Sequence, residues 1–246
     1  MDSYGIFADF YDFLTLNVNY KERAEFIVKT FKTLGHDMGL TLDLACGTGK
    51  LTVELKKMGI DVYGADASED MLSYAFKNAD EEGLSILFLC QKMQELDLYG
   101  SIDTCVCSLD SINHLTDISD VKKTFERVSM FMNKGGYFLF DVNTIYKHRE
   151  ILANNTFVYD VDEVYCVWEN SLNENNVVDI DINFFAPSGD LYERYEEHFS
   201  ERAYSDEELT EMLNSSGFEV IKRTGDMGAE LPNEKEERVI YIAKKI

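Results

Sequence analysis

The sequence predicts an α/β protein whose central sheet is mostly parallel. Short apolar runs alternate with amphipathic segments up to residue 142, and the turns between them are short. The period changes to strict alternation only from residue 156 onward. With 246 residues, 45% of them hydrophobic, the chain can bury the core of one sizeable domain, or of one domain with an insertion.

The first strand and the turn after it lie in residues 40–51, LTLDLACGTGKL. The first half is the short apolar run of a buried strand, and residues 46–49 leave the backbone unobstructed by bulky side chains. Residues 50–58 then carry apolar side chains at helical spacing. A strand that ends in a glycine turn and opens a helix exposes free backbone N–H groups, which can cradle a ligand.

Two kinds of ligand loop fit this turn poorly. A phosphate loop needs Gly-Lys-Ser/Thr, but Leu51 stands at the last of these positions. A dinucleotide fingerprint needs a third glycine, and Thr52 stands there. A further interpretation is a tight strand-to-helix turn that uses glycine only for its backbone geometry and binds no ligand.

A third pattern is an acidic residue followed by Gly-x-Gly, matched by Asp43, Gly47 and Gly49. Here the chain resembles the class I S-adenosylmethionine-dependent methyltransferases, and especially their small-molecule branch of sugar and glycine N-methyltransferases. The resemblance implies a Rossmann-like seven-stranded sheet with helices on both faces, an antiparallel last strand, and S-adenosyl-L-methionine as cofactor. The loop residues that it implies in cofactor binding are Asp43, Ala45, Cys46, Gly47, Thr48 and Gly49.

The second strand, residues 60–65, ends at Asp66, 19 residues after Gly47. A carboxylate at this point can accept hydrogen bonds from both ribose hydroxyls. Ser68 is a suitable N-cap for the next helix. The resemblance adds Ala67 and Met71 to the cofactor site, with Met71 packed on adenine.

The third strand, residues 85–90, precedes a departure from the family pattern. The family usually has Asp before its Met-like position, to bind the adenine amino group, but this chain has Lys92. The adenine contact therefore falls to the backbone around Met93 or to the Gln94 side chain.

The fourth strand, residues 102–107, is followed by SLDSINHL, which resembles the family's Asp-Ser-Leu-Asn-His/Tyr-Leu segment. It lies at the carboxyl edge of the predicted sheet, where open α/β sheets bind ligands. An exposed or helix-capping role for the histidine is the alternative. The resemblance places Ser108 and Leu109 beside the methionine part of the cofactor, and Asp110, Asn113 and His114 on the substrate side.

The N-terminal residues 1–34 are predicted to be helical, with aromatic residues that could simply be core. They also resemble the Tyr-x-x-x-Ala/Phe-x-x-Tyr-Asp segment that folds over the cofactor in small-molecule methyltransferases, matched by Tyr4, Ala8, Tyr11 and Asp12. The resemblance implies that the Tyr11 hydroxyl lies near the methyl group or the amino-acid end of the cofactor. Tyr4 and Tyr20 are further candidates for this site.

The remaining elements complete the predicted fold. A helix over 121–132, capped near Gly135, precedes a fifth strand at 137–142. An antiparallel meander over 156–199 has eleven acids, nine aromatics and a single Lys or Arg between residues 157 and 200, which suits a lid or an interface. A capping box at Ser205 opens a helix before strands at 218–223 and 238–244. The predicted division is a core at 1–143, an inserted sheet at 144–201, and the end of the core at 202–246.

Composition restricts the partners. Forty-six acids against 23 bases give a net charge of −23, which disfavours nucleic acid. Five cysteines without a Cys-x-x-Cys pair suit a reducing compartment, and no segment has the features of a membrane span or a signal peptide. We expect a cytoplasmic monomer or homodimer that acts on a small molecule.

Methyl transfer from a sulfonium mainly requires an aligned acceptor, and no metal is required. If the acceptor is an amine or a hydroxyl, His114 is the first candidate for the base, followed by Asp110 and Tyr11. A protein or RNA methyltransferase, a nicotinamide-dependent oxidoreductase and a binding module are the alternatives.

Overall fold

The computed structural model describes residues 15, 17–161, 164–228 and 231–246. Tyr4, Ala8, Tyr11 and Asp12 lie outside these residues. The described strands, in chain order, are β1 (Leu40–Leu44), β2 (Asp61–Asp66), β3 (Phe88–Cys90), β4 (Ile102–Cys107), β5 (Met132–Asn143), β6 (Thr156–Val161), β7 (Val164–Leu172), β8 (Val177–Ser188), β9 (Leu191–Arg202), β10 (Phe218–Gly225) and β11 (Arg238–Lys245).

The larger sheet has seven strands in the order β10-β11-β5-β4-β1-β2-β3. Strands β1 to β5 pair in parallel, whereas β11 is antiparallel to both of its neighbours, β5 and β10. The predicted insertion of an antiparallel last strand is confirmed. Because β1, β2, β4 and β5 run in the same direction, the loops after them meet at one edge of the sheet.

Helices cover both faces of this sheet, as predicted. Phe125 and Leu213 pack on one face, and Ile27 and Phe31 on the other. In the described part of the chain, no helix is long and apolar enough to cross a membrane. The α-helices of the described residues are α1 (Tyr20–Thr33), α2 (Lys50–Lys57), α3 (Glu69–Glu81), α4 (Ile118–Phe131) and α5 (Asp206–Ser215).

The smaller sheet is the predicted antiparallel meander, with strand order β6-β7-β8-β9. Alternate residues of β8 form its buried face, because side chains of a strand point to opposite sides in turn. Val178, Ile180, Ile182 and Phe184 are almost fully buried, while the residues between them, on the other face, are partly or fully exposed to solvent. A lid or interface role for this sheet stays a prediction.

The helix cap predicted near Gly135 is wrong. Helix α4 ends at Phe131, and β5 begins at once with Met132. Gly135 has φ +86° inside the strand, where the pairing with β4 is irregular. A Cβ at Gly136 would lie 2.6 Å from the carbonyl oxygen of Asp103, so this glycine serves close strand packing instead.

Candidate active site

The glycine loop joins β1 to α2 through residues with positive φ. Ala45, Gly47 and Gly49 have φ values of +56°, +53° and +72°. A Cβ at Gly49 would also lie 2.8 Å from the Cβ of Ala75 on α3. Gly49 is therefore required both by its backbone conformation and by helix packing.

Asp43, the acid of the motif, is buried under this loop. Its carboxylate accepts a 2.6 Å hydrogen bond from the hydroxyl of Thr52 in the first turn of α2. Burial raises the pKa of Asp43 to about 7, although the Thr52 bond opposes the rise and nearby Asp66 adds to it. Asp43 on β1 thus stabilises the glycine loop through its hydrogen bond to the first turn of α2.

Asp66 connects the end of β2 to the glycine loop. One carboxylate oxygen accepts the Gly47 N–H at 2.8 Å, and the other accepts the Ser68 N–H at 2.9 Å. Burial raises the pKa of Asp66, and these hydrogen bonds oppose the rise. A carboxylate oxygen has two lone pairs, so each keeps one for a ligand hydroxyl. This pair of hydrogen-bond acceptors fits the two hydroxyls of the ribose of a nucleoside cofactor.

A cleft lies beside the loop and brings together predicted residues from α1, β1 and β4. On one side, Lys50 Nζ lies 5.8 Å from the centre of the Tyr20 ring. From helix α3, the Asn78 side chain donates a 2.8 Å hydrogen bond to the Thr48 carbonyl and fixes the loop. We call this the glycine-loop cleft; its lining is Tyr20, Asp43, Ala45, Cys46, Thr48, Lys50, Leu51, Ser108 and Leu109.

Seven described residues of the predicted cofactor set are not part of this lining: Gly47, Gly49 and Asp66, which belong to the loop or bind it, and four residues farther along the chain. Ala67 is exposed after β2, and Met71 is buried in the first turn of α3, which Ser68 caps as predicted. Met93 and Gln94 are half-buried in a short 3-10 turn after β3. Their adenine contacts stay predictions.

The loop after β4 has an unusual backbone at Leu109 and Asp110. Both have positive φ, +60° and +52°, which is strained for residues with a Cβ. The buried carboxylate of Asp141 on β5 accepts both of their N–H groups, at 2.9 and 2.8 Å. Arg23, at 3.2 Å, and Arg238 bind the same carboxylate and balance its charge. These contacts hold the backbone at Leu109 and Asp110 in place, and we call these two residues the corner after β4.

A second cavity, of about 370 Å³, opens between this corner and the buried face of the smaller sheet. Leu109 lines both this cavity and the glycine-loop cleft. We call it the aromatic cavity. Its lining includes the charged or polar residues Asp110, His114, Asn143, Lys147, Glu201 and Arg238, and the aromatic residues Phe157, Tyr159, Trp168 and Phe199.

Two acids and an imidazole meet at one wall of the aromatic cavity. His114 Nε2 lies 3.7 Å from Glu201 Oε1, and the His114 side chain is 43% exposed. Asn143 Nδ2 donates to Asp110 Oδ2 at 2.9 Å and to Glu201 Oε2 at 3.2 Å. Asp110, His114 and Glu201 can each bring a ligand atom within 4.8 Å of the others. A metal ion here would have to displace the Arg238 and Asn143 bonds of Asp110.

The two acids have opposite electrostatic environments. Burial opposes ionisation of Asp110, but Arg238, at 2.6 Å, together with Lys147 and His114, holds its pKa well below the usual range. Burial raises the pKa of Glu201, and the charge of Asp110 adds to the rise. A pair of acids separated in this way can perform different tasks in one site.

The sequence did not indicate several of these residues. Asp141, Arg238 and Glu201 lie on β5, β11 and β9, and only the folded chain brings them to the loop after β4. Each stands at or near the end of a strand at the ligand edge, which is the one signal that could have suggested them.

The sheet order, the glycine loop after β1 and the acid at the tip of β2 define an α/β enzyme that binds a nucleoside cofactor. Residues 41–136 match the Methyltransferase domain family. The Bacillus subtilis protein YqeM, named only as a methyltransferase, is 33% identical over 244 residues, 98% of this chain and 97% of YqeM. A crystal structure of an S-adenosylmethionine-dependent methyltransferase from Clostridium acetobutylicum is 34% identical, covers 98% of both chains and superposes with a TM-score of 0.90.

A partial similarity extends to the glycine/sarcosine N-methyltransferase of Halorhodospira halochloris, at 30% identity over 132 residues, 53% of this chain and 48% of that protein. The chain belongs to the class I S-adenosylmethionine-dependent methyltransferases. It is an enzyme, and its cofactor is S-adenosyl-L-methionine.

Proposed function

We propose that this enzyme methylates a small-molecule amine bound in the aromatic cavity. The observation that carries the proposal is that Leu109 lines both the glycine-loop cleft and the aromatic cavity, which places the two next to each other. A cofactor held in the cleft and an acceptor held in the cavity can then approach each other. The volume of about 370 Å³ lies within the range of small-molecule pockets.

The lining of the aromatic cavity supports an amine. Four aromatic rings can face an ammonium group, which is attracted to the ring faces. Asp110 and Glu201 add carboxylates on the same wall. The smaller sheet supplies all four of these aromatic residues, so we propose that it covers the acceptor.

His114 is the proposed general base. S-adenosylmethionine supplies a methyl group on a cationic sulfur, which leaves with the bonding electron pair when the acceptor's lone pair attacks the methyl carbon. The amine must release a proton, and His114 lines the cavity with an accessible ring. Asp110 is less suited, because Arg238 favours its ionised form and so weakens it as a base. Tyr11 stays a predicted candidate outside the described residues.

The cofactor residues predicted from the sequence complete the proposal. Asp66 would bind the ribose, and the N–H groups of the glycine loop and the Leu109 backbone would face the methionine part. The relative from Halorhodospira halochloris supports an amine acceptor, since its name specifies N-methylation of glycine and sarcosine.

A screen of acceptors tests the proposal. Purified enzyme with S-adenosylmethionine is offered a panel of small amines, matched alcohols, a peptide mixture and RNA, and release of S-adenosylhomocysteine is measured. We expect turnover on an amine, reduced about a hundredfold or more in His114→Ala. His198→Ala, an exposed histidine on the opposite face of β9, is the control. Turnover on only peptide or RNA would overturn the proposal.

A further inference from the structure

His148 is a fully buried histidine in the π-helix Lys147–Leu152. Its Nδ1 lies 2.9 Å from the carbonyl oxygen of Asn176. A carbonyl oxygen only accepts hydrogen bonds, so Nδ1 carries the proton of the neutral ring. Nε2 therefore has a lone pair, and it makes no hydrogen bond in the structure.

This lone pair faces a buried acid. Nε2 of His148 lies 3.8 Å from Oε2 of Glu201, whose side chain is 6% exposed. Burial favours the neutral form of both groups, since it raises the pKa of Glu201 and lowers that of His148. At 3.8 Å the two atoms are too far apart for a hydrogen bond, so the pair can hold one proton between Oε2 and Nε2 only when the two side chains move closer.

The other oxygen of Glu201 faces the proposed base. Oε1 lies 3.7 Å from Nε2 of His114, beyond hydrogen-bond distance, and such contacts often tighten when a substrate binds. When the shared proton is bound either to Oε2 of Glu201 or to Nε2 of His148, Oε1 of Glu201 carries no proton. Oε1 is then a hydrogen-bond acceptor in both cases. An acceptor at this position favours a proton on His114 Nε2.

The surrounding groups are consistent with this assignment. Asn143 donates to Oε2 of Glu201, and Lys147 Nζ lies 3.0 Å from Asn143 Oδ1. Asn143 also donates to Asp110, whose charge is balanced by Arg238. These contacts leave Oε1 directed toward His114.

We propose that His148 is a positioning residue: with Glu201 it holds one buried proton and thereby keeps His114 as the Nε2–H tautomer, so that Nδ1 is the basic nitrogen offered to the acceptor. The catalytic meaning rests on the proposed function, in which His114 is the base. The assignment of the His114 tautomer does not rest on the proposed function, and the tautomer can be measured without a methyl acceptor.

Nitrogen-15 NMR of the enzyme with bound S-adenosylhomocysteine tests this, because the chain has four histidines, His36, His114, His148 and His198. Single His→Asn variants assign the signals. At a pH where His114 is neutral, we expect its Nε2 to resonate as the protonated nitrogen and its Nδ1 as the unprotonated one. Neutral His148 should show the opposite pattern. A His114 that carries its proton on Nδ1 would overturn the proposal.

Variants separate positioning from simple structural support. His148→Phe removes the lone pair, so the His114 signals should move toward a mixture of tautomers, whereas His148→Gln keeps an acceptor and should restore the pattern. His198→Asn, which removes the exposed partner of Asp181 at 2.8 Å, should leave His114 unchanged. An unchanged His114 in folded His148→Phe contradicts the proposal.

If His148→Phe fails to fold, the wild-type spectrum still decides. The two proposals also fail separately. Full turnover in His114→Ala would remove the base role but leave the tautomer standing. A wrong tautomer would remove this inference but leave amine methylation intact.

Discussion

The hydroxyl of Thr52 donates a 2.6 Å hydrogen bond to the carboxylate of Asp43, and both side chains are buried. Thr52 occupies the position of the third glycine in a dinucleotide fingerprint. In this enzyme it is instead the partner of the motif's acid. The residue that argues against a dinucleotide therefore also helps to hold the glycine loop.

Asp43 should make stability depend on pH. Its pKa of about 7 exceeds the usual Asp value of about 3.9, so the native state binds this proton more tightly than the unfolded chain does. Its contribution to stability is full below about pH 4 and is lost as the pH rises to about 7. Asp43→Asn cannot ionise, so its free energy of unfolding relative to wild type should rise by roughly 2–3 kcal/mol from pH 5 to pH 8.

Urea unfolding at several pH values measures this change. Asp61→Asn, the same substitution at an exposed acid at the start of β2, is the control. A difference between Asp43→Asn and wild type that does not vary with pH would show that Asp43 has an ordinary pKa.

Gly49→Ala should destabilise the enzyme through a steric clash. The new Cβ would lie 2.8 Å from that of Ala75 and would occupy a residue with φ +72°. Gly59→Ala is a matched control, because Gly59 has φ +83° but nothing within 4 Å of the added atom. We expect Gly49→Ala to cost about 1–3 kcal/mol more than Gly59→Ala in urea unfolding. Equal costs would mean that backbone conformation alone explains Gly49.

Asp141→Asn should be severely destabilising. It removes the buried negative charge that Arg23 and Arg238 share, and loss of one partner from such a cluster costs about 3–5 kcal/mol. The exposed pair of Arg194 and Glu196 offers a control, since Glu196→Gln should cost about 1 kcal/mol or less. Chemical denaturation compares the two, and similar small costs would contradict the role given to Asp141.

Local signals in the sequence predicted much of the fold. Ser68 and Ser205 cap their helices as expected, because an N-cap depends on residues only three positions apart. The glycine loop and the meander also follow from local patterns, whereas the inserted antiparallel last strand is implied by the resemblance to the methyltransferases. The error near Gly135 arose because a glycine needed for packing between strands has the same local signature as one that ends a helix.

The polar wall of the aromatic cavity and the buried residues that contact it could not be predicted in the same way. Asp141, Glu201, Arg238 and His148 come from distant parts of the chain, and their charges and protons are set by burial and by each other. His114 could be proposed from its segment, but the partner of its ring could not. Such sites depend on tertiary contacts that no short motif records.

Calorimetric titration with S-adenosylhomocysteine is the most direct test of the central claim, that the glycine loop and Asp66 form the cofactor site. The wild-type enzyme should bind S-adenosylhomocysteine and should show no binding of a dinucleotide. Asp66→Ala should bind at least about tenfold more weakly, because it loses charge-assisted hydrogen bonds to the ribose, while Asp61→Ala at the other end of β2 should bind normally. Unchanged affinity in folded Asp66→Ala, or a preference for the dinucleotide, would contradict the account.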